Sequence, residues 1–177
     1  MVEKIRRYYP PALELIPLGL TVVTLLYVAY HFGRLPEDIP THFDATGTPD
    51  GWGSRYMLIA LPILQCFLYV QTFLFNYFLV IKPEPKETLN WINIPFIKKD
   101  QLGQEAVEKI KRQMARMMFS TNLGLVLLFA YVLVGTVQTA YGHWNGLGSQ
   151  FIWFVILIAL MPFYFMWKSY RAAKPKG

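Results

Sequence analysis

Charge is scarce in this chain, and cysteine is almost absent. Charged residues fill 16% of its 177 positions, against about 25% in soluble domains. So little charge argues against a freely soluble domain. The single cysteine, Cys66, lies within an apolar stretch, which excludes an intramolecular disulfide and leaves no thiol cluster for a metal. No serine stands beside an evident base, so nucleophilic catalysis has no carrier. The net charge of +6 comes without groove-reading or base-stacking elements on a soluble fold, and no nucleic-acid partner is expected. No small-x-small cleavage site follows the first apolar run, which at about 20 residues is longer than a signal-peptide core. A retained helix is the better reading.

What the chain has in quantity is hydrophobic surface, 54% of residues, with 16% aromatic. It gathers into four runs of bilayer length, about 20 residues each: approximately Leu13–Phe32, Met57–Ile81, Met118–Ala140 and Phe151–Trp167. Only the first contains a formal charge, Glu14, in its first turn. Unpaired backbone amides are not tolerated in lipid, so these runs should be helices. The expected class is all-α, an integral membrane four-helix protein.

Lys and Arg in the short flanks set the orientation. The N-terminus carries Lys4, Arg6 and Arg7. The second connection carries Lys82, Lys86, Lys98, Lys99, Lys109, Lys111, Arg112 and Arg116, and the tail Lys168, Arg171, Lys174 and Lys176. The first connection has only Arg34 and Arg55 beside four acids, and the third, Tyr141–Gln150, has no charge. Both termini are therefore expected inside and the first connection outside. One membrane domain results: a helical hairpin over 1–82 with an external loop at 33–56, a cytoplasmic linker and amphipathic helix at 83–117, and a second transmembrane hairpin with a basic tail at 118–177.

Polar residues inside the spans fall into lines. Gln65, Tyr69, Thr72 and Asn76 share one helical face, as do Gly124, Tyr131, Gly135 and Gln138. Polar and small residues in lipid turn toward neighbouring helices. The two lines are read as a helix–helix interface, with a lined pathway as the alternative. A pathway ordinarily wants an ionisable group at depth, and none is present there. In the second connection Pro83, Pro85 and Pro95 oppose a helix, whereas from Gln104 onward Val107, Ile110, Met114 and Met117 recur at helical steps. This amphipathic helix should run into the third span. Its basic face suits an anionic lipid surface, or alternatively a soluble partner.

The densest chemistry lies between the first two spans. Residues 33–56 hold three prolines, four glycines, four acids, His42 and Trp52. One reading is structural: Pro36, Pro40 and Pro49 fix φ, the glycines permit turns, and Asp38, Asp44 and Asp50 bond nearby amides. Trp52 would anchor at headgroup level. The other reading is a ligand site. All three histidines, His31, His42 and His143, fall on the expected outer side with Asp44 and Asp50, and imidazole and carboxylate are zinc-type ligands. The spacing nevertheless matches neither H-E-x-x-H nor the calcium-loop pattern. No metal and no other cofactor is expected. His42 should instead bond a loop carbonyl, Asp44 or Asp50, and so pin the arms of the loop together.

The stretch Leu35-Pro-x-x-Ile-Pro-x-His-Phe-x-x-x-Gly-x-x-Asp-x-Trp52 resembles a bacterial domain-of-unknown-function membrane family. It is also similar to the N-terminal part of Sdp-type toxin-immunity proteins. The matching positions are Pro36, Ile39, Pro40, His42, Phe43, Gly47, Asp50 and Trp52. The resemblance covers Leu13 to about Ile81 and implies a multi-pass protein of a bacterial cytoplasmic membrane. Three functions compete. The first is non-enzymatic sensing or binding, immunity-like, at the extracytoplasmic face, with a peptide or small ligand. The second is an accessory subunit of a larger membrane complex. The third is a metal-dependent enzyme or ion-handling protein built on His42 and its neighbours.

Overall fold

The computed structural model describes residues 1–85, 87–88 and 102–173. The positions Lys86, Pro95, Lys98, Lys99, Lys174 and Lys176, part of the basic linker and tail, lie outside the described residues. In chain order the elements are α1 (Val2–Arg6), α2 (Leu15–Phe32), β1 (Asp38–Phe43), β2 (Pro49–Ser54), α3 (Ala60–Phe75), α4 (Gln104–Ala140) and α5 (Gln150–Ala173). Short 3-10 turns at Pro11–Glu14 and Arg55–Ile59 lead into α2 and α3, and a π-helical turn, Asn76–Ile81, ends α3. Four helical segments are long and apolar enough to cross a membrane: Pro11–Phe32, Arg55–Ile81, Gln104–Ala140 and Gln150–Ala172.

Local chemistry explains the helix starts. Pro17 and Pro62 sit in the first turns of α2 and α3, where a missing N–H breaks no helical bond. Thr21 and Thr24 turn their hydroxyls back onto the carbonyls of Pro17 and Leu20, at 2.8 and 2.7 Å. Each thus satisfies itself within its own helix.

The hub is α4, which packs against α2, α3 and α5, while α5 packs chiefly on α4. None of the most apolar window of α5 is buried. Its Trp153, Leu157, Phe163 and Trp167 form an exposed apolar surface, as a helix facing lipid would.

Two features depart from the sequence expectation. The 33–56 segment is an antiparallel β-hairpin, so the protein is mostly helical but not all-α. The amphipathic helix does run unbroken into the third span, yet its apolar side does not lie on a lipid surface. Val107 and Ile110 are 3% and 0% exposed, enclosed by the chain itself. Lys111, read as part of a basic face, is 2% exposed. Its Nζ donates to the Pro83 carbonyl and stands 5.5 Å from the centre of the Tyr8 ring.

The N-terminal segment folds onto the same end of the bundle. Ile5, Tyr8 and Tyr9 are buried with Val80, Ile81 and Ala115. Asn76 Nδ2, at the start of the π-turn, donates to the Tyr9 hydroxyl at 2.9 Å and to the Ala115 carbonyl at 3.1 Å. The Tyr9 hydroxyl donates in turn to Glu14 Oε1 at 2.6 Å. Burial, with nearby Glu108 adding to it, pushes the Tyr8 phenol up to about 12; burial and then the Glu14 bond push Tyr9 upward as well.

Candidate functional site

An isolated two-stranded hairpin is marginal in water, so the β1–β2 pair needs a support. The end of the bundle supplies it. Leu35 and Ile39, 3% and 1% exposed, enter a cluster with Val28, Leu58, Leu133 and Val137 from α2, the turn before α3, and α4. Pro40 is buried beside them. The apolar motif residues thus anchor the hairpin as a lid over the three helix ends. Arg55 ties down the entry strand, donating from Nη1 to the Leu35 carbonyl at 2.9 Å and from its backbone N–H to Glu37 at 2.8 Å.

The strands pair Asp38 with Ser54, Ile39 with Gly53, Pro40 with Trp52, His42 with Gly51 and Phe43 with Pro49, with an irregularity on either side of His42. His42 Nδ1 bonds Asp50 Oδ1 across the strands. Gly51 permits this, because a Cβ there would stand 2.9 Å from the His42 Cβ. At the tip, Asp44 Oδ1 accepts from the Thr46 N–H at 2.8 Å, the Thr46 hydroxyl at 2.7 Å and the Thr48 N–H at 2.9 Å. The Thr46 hydroxyl first, then the Thr48 amide, hold its carboxyl below the usual aspartate range. Gly47 completes the turn at φ +81.

The tip does not end in solvent. The Leu147 N–H donates to the Gly47 carbonyl at 2.7 Å, and Leu147, 2% exposed, drops against Gly135. The Tyr131 hydroxyl donates to the Leu147 carbonyl. The connection between α4 and α5 and the hairpin therefore lock each other. No motif marked Leu147 at this lock, nor Asn122, whose Nδ2 donates to the Tyr69 carbonyl within the bundle. A lone leucine in a Gly-rich loop and an asparagine in an apolar run carry no periodic signal.

Between β1 and the helix ends lies a cavity of about 300 Å³. Pro40, His42 and Phe43 face it from the hairpin, and Leu61, Val132 and Thr136 from the helices. Its lining is mainly apolar with a few polar groups, the make-up of a small-ligand recess.

The histidines and aspartates do not converge. His31 Nδ1 is 3.1 Å from the Tyr141 hydroxyl, and His143 Nδ1 is 2.9 Å from Gln138 Oε1. Asp44 is held at the tip and Asp50 by His42. Among the described residues no group of three or more His, Cys, Asp or Glu side chains is placed to hold a metal ion. Pro36 and Trp52 are exposed.

The two polar lines in the spans also part company. Asn76 reaches α4 through Ala115, and Asn122 Nδ2 donates to the Tyr69 carbonyl at 3.4 Å. Tyr69 and Thr72 are half-buried. Gln65 is 1% exposed, and neither end of its amide finds a partner among the described residues. The second line does not meet α3. Gly124 faces Ile158 and Met161 of α5, and Gly135 faces Leu147 and Trp144. Tyr131 stacks on Phe154 at 5.3 Å, and Gln138 Nε2 donates to the Tyr27 hydroxyl of α2 at 2.7 Å. Small residues on a helix admit whatever packs there, and here that is α5 and a loop.

The fold is that of a multi-pass, membrane-type helical protein with a β-hairpin seated on one end of the bundle. Within that class, a family model described as a domain of unknown function (DUF1648) matches residues 19–66, from α2 through the hairpin into α3. An uncharacterized protein of Archaeoglobus fulgidus is 46% identical over 50 residues, a match that spans 27% of this chain and 27% of that protein. The setting expected from the resemblance was bacterial, whereas this relative is archaeal. No solved structure matches the chain.

Proposed function

We propose that this is a non-enzymatic membrane protein that binds or senses a ligand at the extracytoplasmic face, through the hairpin and the cavity beneath it. The carrying observation is that the motif residues do two jobs along β1. Ile39 and Pro40 are buried against the helix ends and fix the lid, and with His42 and Phe43 they also border a cavity. A lid fixed at its base and open at its rim suits a ligand that inserts an apolar group, such as a peptide side chain. The immunity-like reading is one form of this function, with a secreted peptide as ligand.

Orientation is part of the proposal, with both termini in the cytoplasm. It rests on the Lys/Arg asymmetry. With Cys66 replaced, a cysteine at exposed Thr48 should react with an impermeant thiol reagent in whole cells, and one at exposed Gln104 should not. The reverse pattern overturns the orientation.

The bare surface of α5 supports a second reading, an accessory subunit whose fourth helix packs on another membrane protein. A photocrosslinking residue at Phe43, compared with one at Leu157 on α5, separates the two. Adducts at Phe43 with an externally supplied peptide or small molecule support binding under the hairpin. Adducts confined to Leu157, with an integral membrane protein, favour the subunit.

A further inference from the structure

The hairpin tip has a second recess on its far side. The tip and the 142–148 connection border an open recess of about 460 Å³. Its floor is backbone. Gly47, Gly146 and Gly148 have φ values of +81, +141 and +72, which side chains resist, and a Cβ at Gly146 would collide with the Gly47 carbonyl. The floor is therefore fixed before any ligand arrives.

The walls are aromatic and amide. Trp144 and Tyr131 lie with ring centroids 6.4 Å apart, and Asn145 and Gln150 border the same space. The Tyr131 hydroxyl is engaged by the Leu147 carbonyl, and the hydroxyls of Thr46 and Thr48 bond each other at 2.9 Å. The carboxamides of Asn145 and Gln150 and the Trp144 indole N–H have no hydrogen-bond partner among the described residues. No charged side chain lines the cavity.

These groups together select a ligand chemistry. A phosphate or carboxylate would find no cation here. An aliphatic chain would lie along the amide edge of the recess without offering it a hydrogen bond. A neutral polyhydroxylated ring satisfies both conditions: its C–H face lies on an aromatic plate, and its hydroxyls exchange hydrogen bonds with carboxamides, which both donate and accept. We propose that the recess between the hairpin tip and the α4–α5 connection is a binding site for an uncharged sugar. The sugar could be a free saccharide or a glycolipid headgroup, since the cavity lies at the end of membrane-length helices.

The test uses the full chain purified in a sugar-free detergent. In nanodiscs containing equal diglucosyl-diacylglycerol and phosphatidylglycerol with matched acyl chains, native mass spectrometry reads which lipid the protein retains. Equilibrium dialysis with radiolabelled maltose reads the free sugar. We expect the glycolipid to be retained about 10-fold over phosphatidylglycerol, and Trp144→Ala to remove that preference. Maltose that binds and displaces the lipid identifies the saccharide alone as sufficient, whereas retention of lipid without maltose binding identifies the membrane-presented headgroup. Equal retention of both lipids with no maltose bound overturns the proposal, as does a preference that survives the variants. Should Trp144→Ala fail to fold, the Asn145→Ala/Gln150→Ala pair, at exposed positions, carries the same test. Crosslinking at Phe43 reports the other cavity, so failure of either experiment leaves the other reading intact.

Discussion

Where the hairpin tip meets the α4–α5 connection the groups in contact are mostly backbone; at the end holding the N-terminal segment they are mostly side chains. Gly47, Gly146 and Gly148 bring two loops together so closely that a Cβ at Gly47 would stand 2.5 Å from the Gly148 carbonyl oxygen. The other end is closed by Tyr8, Tyr9, Asn76 and Lys111, through a chain of hydrogen bonds from Glu14 to Ala115. Backbone contact leaves no room for adjustment, whereas long side chains can repack. The hairpin end should therefore fail sharply on small changes, and the other end gradually.

The largest effect expected of any single substitution follows from this. Gly47→Ala puts a side chain at φ +81, costing about 1–2 kcal/mol, and drives it into Gly148, at about 1–3 kcal/mol more. The thermal midpoint in detergent should fall by about 5–15 °C. Amide exchange should rise in both the tip and the 142–148 connection, because each holds the other. Exchange confined to the tip would break the idea that the two loops lock.

At the opposite end, Asn76→Leu should be milder. It removes two hydrogen bonds and leaves the Tyr9 hydroxyl without its donor, a loss of about 1–2 kcal/mol. The readout is local: faster exchange and easier proteolysis over residues 1–10, with the hairpin unchanged. A double-mutant cycle with Tyr9→Phe should show coupling of about 0.5–1.5 kcal/mol. Zero coupling would mean that packing of the two tyrosines, and not the polar chain, closes this end.

The contrast also explains what could be read in advance. Spans were legible because uninterrupted apolar length has one solution in lipid, and the continuation of α4 from Gln104 was legible from its 3.6-residue period. The hairpin was not. Its strands contain Pro40, Gly51 and Gly53, which oppose strand propensity, and its pairing depends on the helix ends beneath. His42 reaching Asp50 could be anticipated from the loop's composition, since the pair is only eight residues apart. Leu147 filling the space over Gly135 could not, because it joins a connection to a helix face through tertiary placement alone. For the same reason the spacing of Gly124 and Gly135 does not reveal that they serve α5 and the loop and not α3.

Gln65 lies inside the bundle, between the two ends. Its amide is buried and unpartnered among the described residues, which costs about 1–3 kcal/mol. Gln65→Leu keeps the volume and removes the polar group. It should leave stability unchanged or raise it by about 1 kcal/mol, a midpoint 2–4 °C higher. A fall of the same size would show that the amide has a role this packing does not reveal, and would return the α3 line to consideration as a pathway.

The smallest effect is at the exposed tip, where pH should act on one turn. Asp44 has a folded-state pKa below its unfolded value, chiefly because the Thr46 hydroxyl and the Thr48 amide bond its charged form. A depressed carboxylate contributes stability that is complete above the unfolded value, about 3.9, and is lost as pH falls through the folded one. From neutral pH down to about pH 4 the turn should therefore be insensitive, and below that it should loosen. The amide proton shifts of Thr46 and Thr48 should titrate together, with a midpoint below 3.9. In Asp44→Ala they should be flat, and amide exchange at the tip should already be raised at neutral pH. Asp44→Asn, whose side-chain oxygen can still accept, should retain the turn but lose the titration. The carboxyl bonds only within its own turn, so the global midpoint should scarcely move in either variant. A midpoint at or above the ordinary aspartate value would mean that the tip is held by the Gly47–Leu147 backbone contact alone. The tip turn would then owe nothing to the Asp44 charge, and its difference from the side-chain-built end would be sharper.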